Sequence, residues 1–235
     1  MKNSFTILLL FISIVAFTQK ITGDELLEKS IQFHDSNNNW GTFEGELFVT
    51  METPKRAPRK SSIQIDIPKQ YFSVEAKRDT IITKYMVSKE ECSFLINGNT
   101  APSEALKEQY NLNCQRAKMY KNYYTYLYGL PMKLKDKGTI INQKVTTKTF
   151  KGKEYLVLKV NYSKEVGKDT WYFYFDPETY AMEVYQFFKE AKDSGEYILL
   201  SGIETIKGIK MPKNRAWYYN KDDGYLGTDV LSKLK

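Results

Sequence analysis

The side chains able to do chemistry in this chain are few and badly placed for it. His34 is the only histidine, and on a helical wheel it falls between Leu27 and Ile31. A histidine can serve as base or ligand, but alone on an apolar helix face it reads as a packed, hydrogen-bonded residue. Cys92 and Cys114 are the only cysteines. With His34 the sole imidazole and no Cys-x-x-Cys pair, neither reads as a catalytic thiol. Asp35, Asn37 and Asn39 imitate the opening of a calcium loop, and Glu46 falls where such a loop ends. Trp40, however, replaces the glycine that permits its sharp turn, so a polar turn is the better reading. Glu44 and Glu46 share a strand face, as a glycosidase pair would, yet both alternate with apolar residues and belong on a solvated outer surface. There is no Gly-x-Ser-x-Gly elbow, zinc motif or phosphate loop. The expectation is a protein without metal, cofactor or enzymatic activity; a hydrolase relying on His34 is the distant alternative.

The N-terminus narrows the setting. Met1 and Lys2 give a short positive start, Ile7–Phe17 is an apolar run, and Ala16-Phe17-Thr18 offers small residues where a signal peptidase reads. A bilayer-spanning helix needs about 20 apolar residues, so residues 1–18 are expected to be a cleaved export signal and 19–235 one mature domain. No cysteine follows the apolar core, so no lipid anchor is expected there, and the mature chain is expected to work outside the cytoplasm. The chain carries 35 basic and 28 acidic residues; with Lys2 removed the mature charge is about +6. Export excludes nucleic acid as partner and leaves transient contact with an anionic membrane surface, or simple solubility, as the meaning of that charge. Export also permits a disulfide between Cys92 and Cys114.

Periodicity supplies the elements. Thr22 and Glu25 form a capping box ahead of Leu26, Leu27, Ile31 and His34 at helical spacing. Five alternating runs follow: 43–51, 63–67, 72–77, 81–88 and 92–97, joined by short polar turns. Residues 54–60, with two prolines and four basic side chains, read as a long extended loop. Pro102–Tyr110 and a second segment capped by Asn113 and ended by Gly129 and Pro131 are helical. The two-residue period then returns in candidate strands at 144–150, 154–162, 170–176, 180–189, 196–206, 211–220 and 225–233. The predicted fold is mainly β: one curved antiparallel sheet of about 11 to 12 strands, with an N-terminal helix and a mid-chain helical pair as lid.

This order resembles the LolA/LolB/LppX-like proteins of the bacterial envelope, whose unclosed antiparallel barrel has helices over its mouth. Trp171-Tyr-Phe-Tyr-Phe-Asp-Pro-Glu-Thr179 is similar to their strand, Asp-Pro-x-Thr turn, strand hairpin. Ile206-Lys-Gly-Ile-Lys-Met-Pro212, leading to Trp217, is similar to their entry to a late strand. Asn122-Tyr-Tyr-Thr-Tyr-Leu-Tyr-Gly-Leu-Pro-Met-Lys-Leu-Lys135 and the following hairpins look most like an uncharacterised LolA-like exported family. The resemblance implies carriage of lipid or lipoprotein acyl chains and a donor or acceptor protein in the envelope. Its motifs are turns, and they speak to fold more than to activity.

A curved sheet under a lid encloses either ligand or side chains. The lid helix offers Met119, Tyr120, Tyr123, Tyr124 and Leu127 on one arc, with Arg116 inside it as a latch, a headgroup contact or a snorkelling charge. The sheet offers Leu47, Val49, Ile63, Ile65, Phe72, Val74, Phe94, Trp171, Phe173 and Trp217. These are the expected ligand contacts of a hydrophobic carrier. The alternative is an envelope interaction module whose barrel is filled by its own side chains.

Overall fold

The computed structural model describes residues 20–189 and 193–233; the expected export signal lies outside them. The helices are α1 (Gly23–His34), α2 (Glu104–Tyr110) and α3 (Cys114–Gly129). Thirteen strands form one sheet: β1 (Glu44–Thr53), β2 (Arg56–Asp66), β3 (Tyr71–Arg78), β4 (Ile81–Ser88), β5 (Glu91–Ile96), β6 (Thr139–Ile141) and β7 (Thr146–Phe150), followed by β8 (Lys153–Tyr162), β9 (Thr170–Phe175), β10 (Met182–Phe188), β11 (Glu196–Ile206), β12 (Ile209–Tyr219) and β13 (Tyr225–Ser232).

Their order is β5-β4-β3-β2-β1-β13-β12-β11-β10-β9-β8-β6, with β7 also on β8. Two meanders are therefore joined where the first strand meets the last, Val49 opposite Leu231 and Met51 opposite Asp229. Strands β5 and β6 end the order, so the barrel is not closed. Alternation decides the faces. Leu47 and Val49 are buried on the concave side with Ile63, Ile65, Phe72 and Val74; Glu44 and Glu46 face solvent, as expected.

Two strand expectations need correction. Residues 54–60 are not a loop: β2 begins at Arg56. Pro58 is tolerated because the β1–β2 register shifts between Met51 and Thr53, and β3 pairs no further along β2 than Lys60. The missing N–H thus falls at a bulge and beyond the neighbouring ladder. The expected strand from residue 144 is the second half of an interrupted edge: β6 pairs with Val160–Tyr162 and β7 with Lys153–Val157. The start of α1 occupies the break. Gly23 donates its N–H to the Gln143 carbonyl at 3.1 Å, and a Cβ on Gly23 would meet the Asn142 carbonyl oxygen at 2.2 Å.

The capping box is present, with Thr22 and Glu25 satisfying each other's backbone N–H groups. Behind it, Leu26 and Leu27 enter the same core as α3 and the concave strands. Asp35 then closes the helix chemically, accepting from the N–H groups of Asn39 and Trp40 at 2.8 Å each; the calcium-like stretch is this polar turn. His34 is fully packed. Its Nδ1 donates to the Lys210 carbonyl at 2.7 Å and its Nε2 accepts from the Met182 N–H at 3.0 Å.

Cys92 and Cys114 are joined in a disulfide, Cα to Cα 5.6 Å, across a sequence separation of 22. It pins the first residue of α3 to β5. In the chain-entropy account a loop of this size contributes about 3 kcal/mol. The C92A/C114A double variant is expected to lose about that much in urea unfolding near neutral pH; an unchanged midpoint would show the bridge to be energetically idle.

Candidate ligand site

α3 is the element that covers the concave face. Asn113 caps it, accepting from the Arg116 N–H at 2.7 Å. At its far end Gly129 lies against Trp40, whose ring atoms would stand 2.3 Å from an added Cβ. Between these ends the tyrosines reach four different strands. Tyr120 packs on Tyr85 (5.2 Å between centroids), Tyr124 on Phe72 (6.3 Å), Tyr123 on Trp217 (6.3 Å) and Tyr126 on Trp171 (5.8 Å). A helix held by aromatic faces keeps large contact area at low entropy cost.

The expected contact residues divide into three groups. Leu47, Val49, Ile63, Ile65, Phe72, Val74, Phe173, Tyr124 and Leu127 are buried in one continuous core. Tyr120, Tyr123, Phe94, Trp171 and Trp217 are half-buried around its margin. Met119 is exposed, at 37 %, and lies beside Lys118 and Asn122 on the outer side of the helix. The space directly under the lid is thus taken by side chains, because α1 adds Leu26 and Leu27 to a concavity that α3 already fills with Tyr124, Leu127 and Tyr128.

Open space remains at one edge. A groove of about 630 Å³ runs between α3 and the β8–β9 connection, walled by Tyr123, Tyr126, Tyr162 and Trp171. Its rim mixes Lys133, Lys137 and Lys168 with Asp136, Glu165 and Asp169. Tyr126 and Tyr162 share a hydroxyl–hydroxyl hydrogen bond. Burial raises both phenols, Tyr162 to about 12, so both stay protonated at neutral pH.

Of the three readings open to Arg116, the latch to the sheet falls to other residues. Arg116 turns back along its own helix, donating to the Tyr120 hydroxyl at 3.1 Å and lying over that ring. The arginines that tie α3 to the sheet are Arg59 and Arg215. Arg59 donates to the Tyr124 hydroxyl at 3.0 Å. Arg215, 1 % exposed, lies 4.0 Å from the Tyr128 ring centroid and donates to the carbonyls of Pro212 (2.9 Å) and Leu127 (3.4 Å). Leu127 lies in the last turn of α3, where carbonyls lack helical partners and a cation is favoured.

These arginines belong to a row across the sheet. Arg59 is opposite Met51, Met51 opposite Asp229, and Asp229 opposite Arg215, on β2, β1, β13 and β12. Asp229 is 2 % exposed; burial pushes its carboxyl up, opposed by Arg215 and Arg59. The row's parity was readable in each strand separately, since Asp229 shares a strand face with the buried Leu231 and Arg215 with Trp217. What single strands do not reveal is that the charges meet.

Residues 2–233 match the family described as "Family of unknown function (DUF6503)". The chain belongs to the DUF6503 family. A search of curated proteins finds no match. Among solved structures, this DUF6503 chain is similar to the LolA superfamily protein NE2245 of Nitrosomonas europaea, with TM-score 0.54, 10 % identity, and coverage of 91 % of this chain and 92 % of that one. It is also similar to a Vibrio parahaemolyticus domain named as a candidate outer membrane lipoprotein-sorting protein, with TM-score 0.50, 11 % identity, and coverage of 91 % and 92 %. At such identities the likeness establishes fold, and the LolA-like architecture expected from the turns is present.

Proposed function

We propose that this protein is a non-enzymatic periplasmic carrier of a hydrophobic ligand, either a lipid or the acyl chains of a lipoprotein. The observation that carries the reading is the aromatic groove of about 630 Å³ beside α3. That volume lies in the range of roughly 300–1,000 Å³ usual for small-molecule sites. The names of the structural neighbours, a LolA superfamily protein and a candidate lipoprotein-sorting domain, point the same way. Burial of a C16 chain gains about 12 kcal/mol at about 0.8 kcal/mol per methylene, before the ordering costs that reduce any binding energy. The groove takes one chain segment as it stands. A longer chain reaches the concave face only if the Tyr126 end of α3 swings outward while Cys114 stays pinned to Cys92. Handover then needs a donor or acceptor protein in the envelope, and the basic surface suits brief contact with anionic membrane.

The test is native mass spectrometry of protein purified from its own envelope. A bound mass released by organic solvent is expected, and the Y126A/W171A variant should retain at least about tenfold less of it, since removing two aromatic walls costs well over 1.4 kcal/mol. A wild-type protein carrying nothing would reject the carrier. It would favour the second reading, an interaction module with a filled barrel, which the packed core under α3 supports.

A further inference from the structure

The row under α3 has more hydrogen-bond donors than the protein uses. Among the described residues, the Nε of Arg59, the Nε of Arg215, the indole N–H of Trp217 and the hydroxyls of Tyr128 and Tyr185 have no hydrogen-bond partner. Buried polar groups are nearly always paired, so a cluster left over needs an explanation. Asp229 is the one carboxylate of the row, set against two guanidinium groups. No ion pair within 4.0 Å joins it to either of them among the described residues. Trp217 leans on Asp229 and Tyr185 on Arg215, near enough to feel the charge, yet neither pair is aligned well enough to make a full hydrogen bond. Burial pushes the Tyr128 and Tyr185 phenols far up, which fixes both as protonated groups. The result is a buried cluster with a net positive charge and donors in excess.

This cluster stands directly behind the groove. Tyr123, on the groove wall, stacks on Trp217 at 6.3 Å, and Trp171, on the same wall, lies 6.2 Å from Tyr185. None of the five residues lines the groove itself; a head group reaches their N–H and O–H groups only when the same outward swing of α3 that admits a longer chain parts Tyr123 from Trp217. The complement that satisfies them is a monoanion with several acceptor oxygens, because charge-assisted bonds to arginine are the strong ones. We propose that Arg59, Arg215, Trp217, Tyr128 and Tyr185 form an oxyanion site that receives the carboxylate or phosphate head of an amphiphile whose chain lies in the Tyr123–Trp171 groove. The site rests on the carrier reading and adds to it a demand for negative charge at the head.

The test is a fluorescence titration of delipidated full-length protein, read on Trp217 and Trp171, near neutral pH and below micelle formation. The probes are hexadecanoate, hexadecyl phosphate, hexadecanol and inorganic phosphate. Both anionic amphiphiles should bind at least about tenfold more tightly than the alcohol, the scale of one strong charge-assisted contact. The Y128F/Y185F variant removes two hydroxyls with no aligned partner and keeps both rings in the core, and R59Q removes a half-exposed charge; each should shrink that preference. Equal binding of alcohol and anions would overturn the oxyanion site and leave the carrier standing. Binding of none of the probes would overturn both. If inorganic phosphate binds as tightly as hexadecyl phosphate, the oxyanion site stands with a free anion as its ligand, and the carrier reading falls because the chain contributes nothing.

Discussion

Between pH 6.5 and pH 4 the protein is expected to lose about 3 kcal/mol of stability through a single imidazole. Burial holds His34 at a pKa of about 4, against an ordinary value of 6.5. The folded state then binds fewer protons than the unfolded state throughout that window, so stability rises with pH across it. The contribution is complete above pH 6.5 and drains as pH falls towards 4. By pH 5 about 2 kcal/mol should be gone, at about 1.4 kcal/mol per pH unit. The chain has no other histidine, but burial raises the carboxyls of Asp229 and Glu196, which bind protons more readily folded than unfolded and so oppose the loss as pH falls. The difference between wild type and a His34 variant therefore isolates the imidazole. Urea unfolding at pH 7.5 and pH 5 measures it. The H34L variant should start about 2–4 kcal/mol weaker at pH 7.5, since the Lys210 carbonyl and Met182 N–H both lose their partner. Its change between the two pH values should then lack the fall of about 2 kcal/mol that His34 gives the wild type. A wild type that falls no further than H34L between the two pH values would contradict the neutral imidazole bonded on both nitrogens.

Alternation and capping made much of this architecture readable in advance. Leu47 and Val49 on β1, the Thr22–Glu25 cap, the Asn113 cap and the tyrosine arc of α3 are local patterns, and local patterns survive folding. Other features depend on partners distant in sequence. β6 is three residues long and exists because β8 offers an edge to it; no periodicity marks so short a strand. The start of β2 was hidden by Pro54 and Pro58, whose cost disappears only when the bulge and the end of β3 are known. The filled concavity was not visible either. It follows from the combined volume of α1 and α3, which strand alternation does not measure. The polar row is the sharpest case. Arg59, Asp229 and Arg215 each sit at inward parity, but their meeting requires β1 to pair with β13 in one register, and a slip of one residue there would turn Asp229 and Arg215 to the face opposite Arg59.

That row yields the largest mutational effect expected here. R215M removes the cation over Tyr128, the donor to the Leu127 carbonyl and the counter-charge of Asp229. Arg215 and Asp229 are coupled through space and not in contact, but stranding a buried charge by removing its counter-charge typically costs about 3–5 kcal/mol. For a chain of this size the melting temperature should fall by about 6–20 °C, at about 2–4 °C per kcal/mol. Removing both charges is a different experiment. In R215M/D229L the buried carboxylate is gone, and Arg59, half-exposed and bonded to Tyr124, can turn its charge to water. The double variant should therefore recover most of the loss, as replacement of buried ion pairs by apolar residues often does. The thermodynamic cycle over the two positions isolates their coupling. If the double variant melts as low as R215M alone, the electrostatic account fails, and Arg215 matters instead as the cap that fastens the last turn of α3 to the sheet.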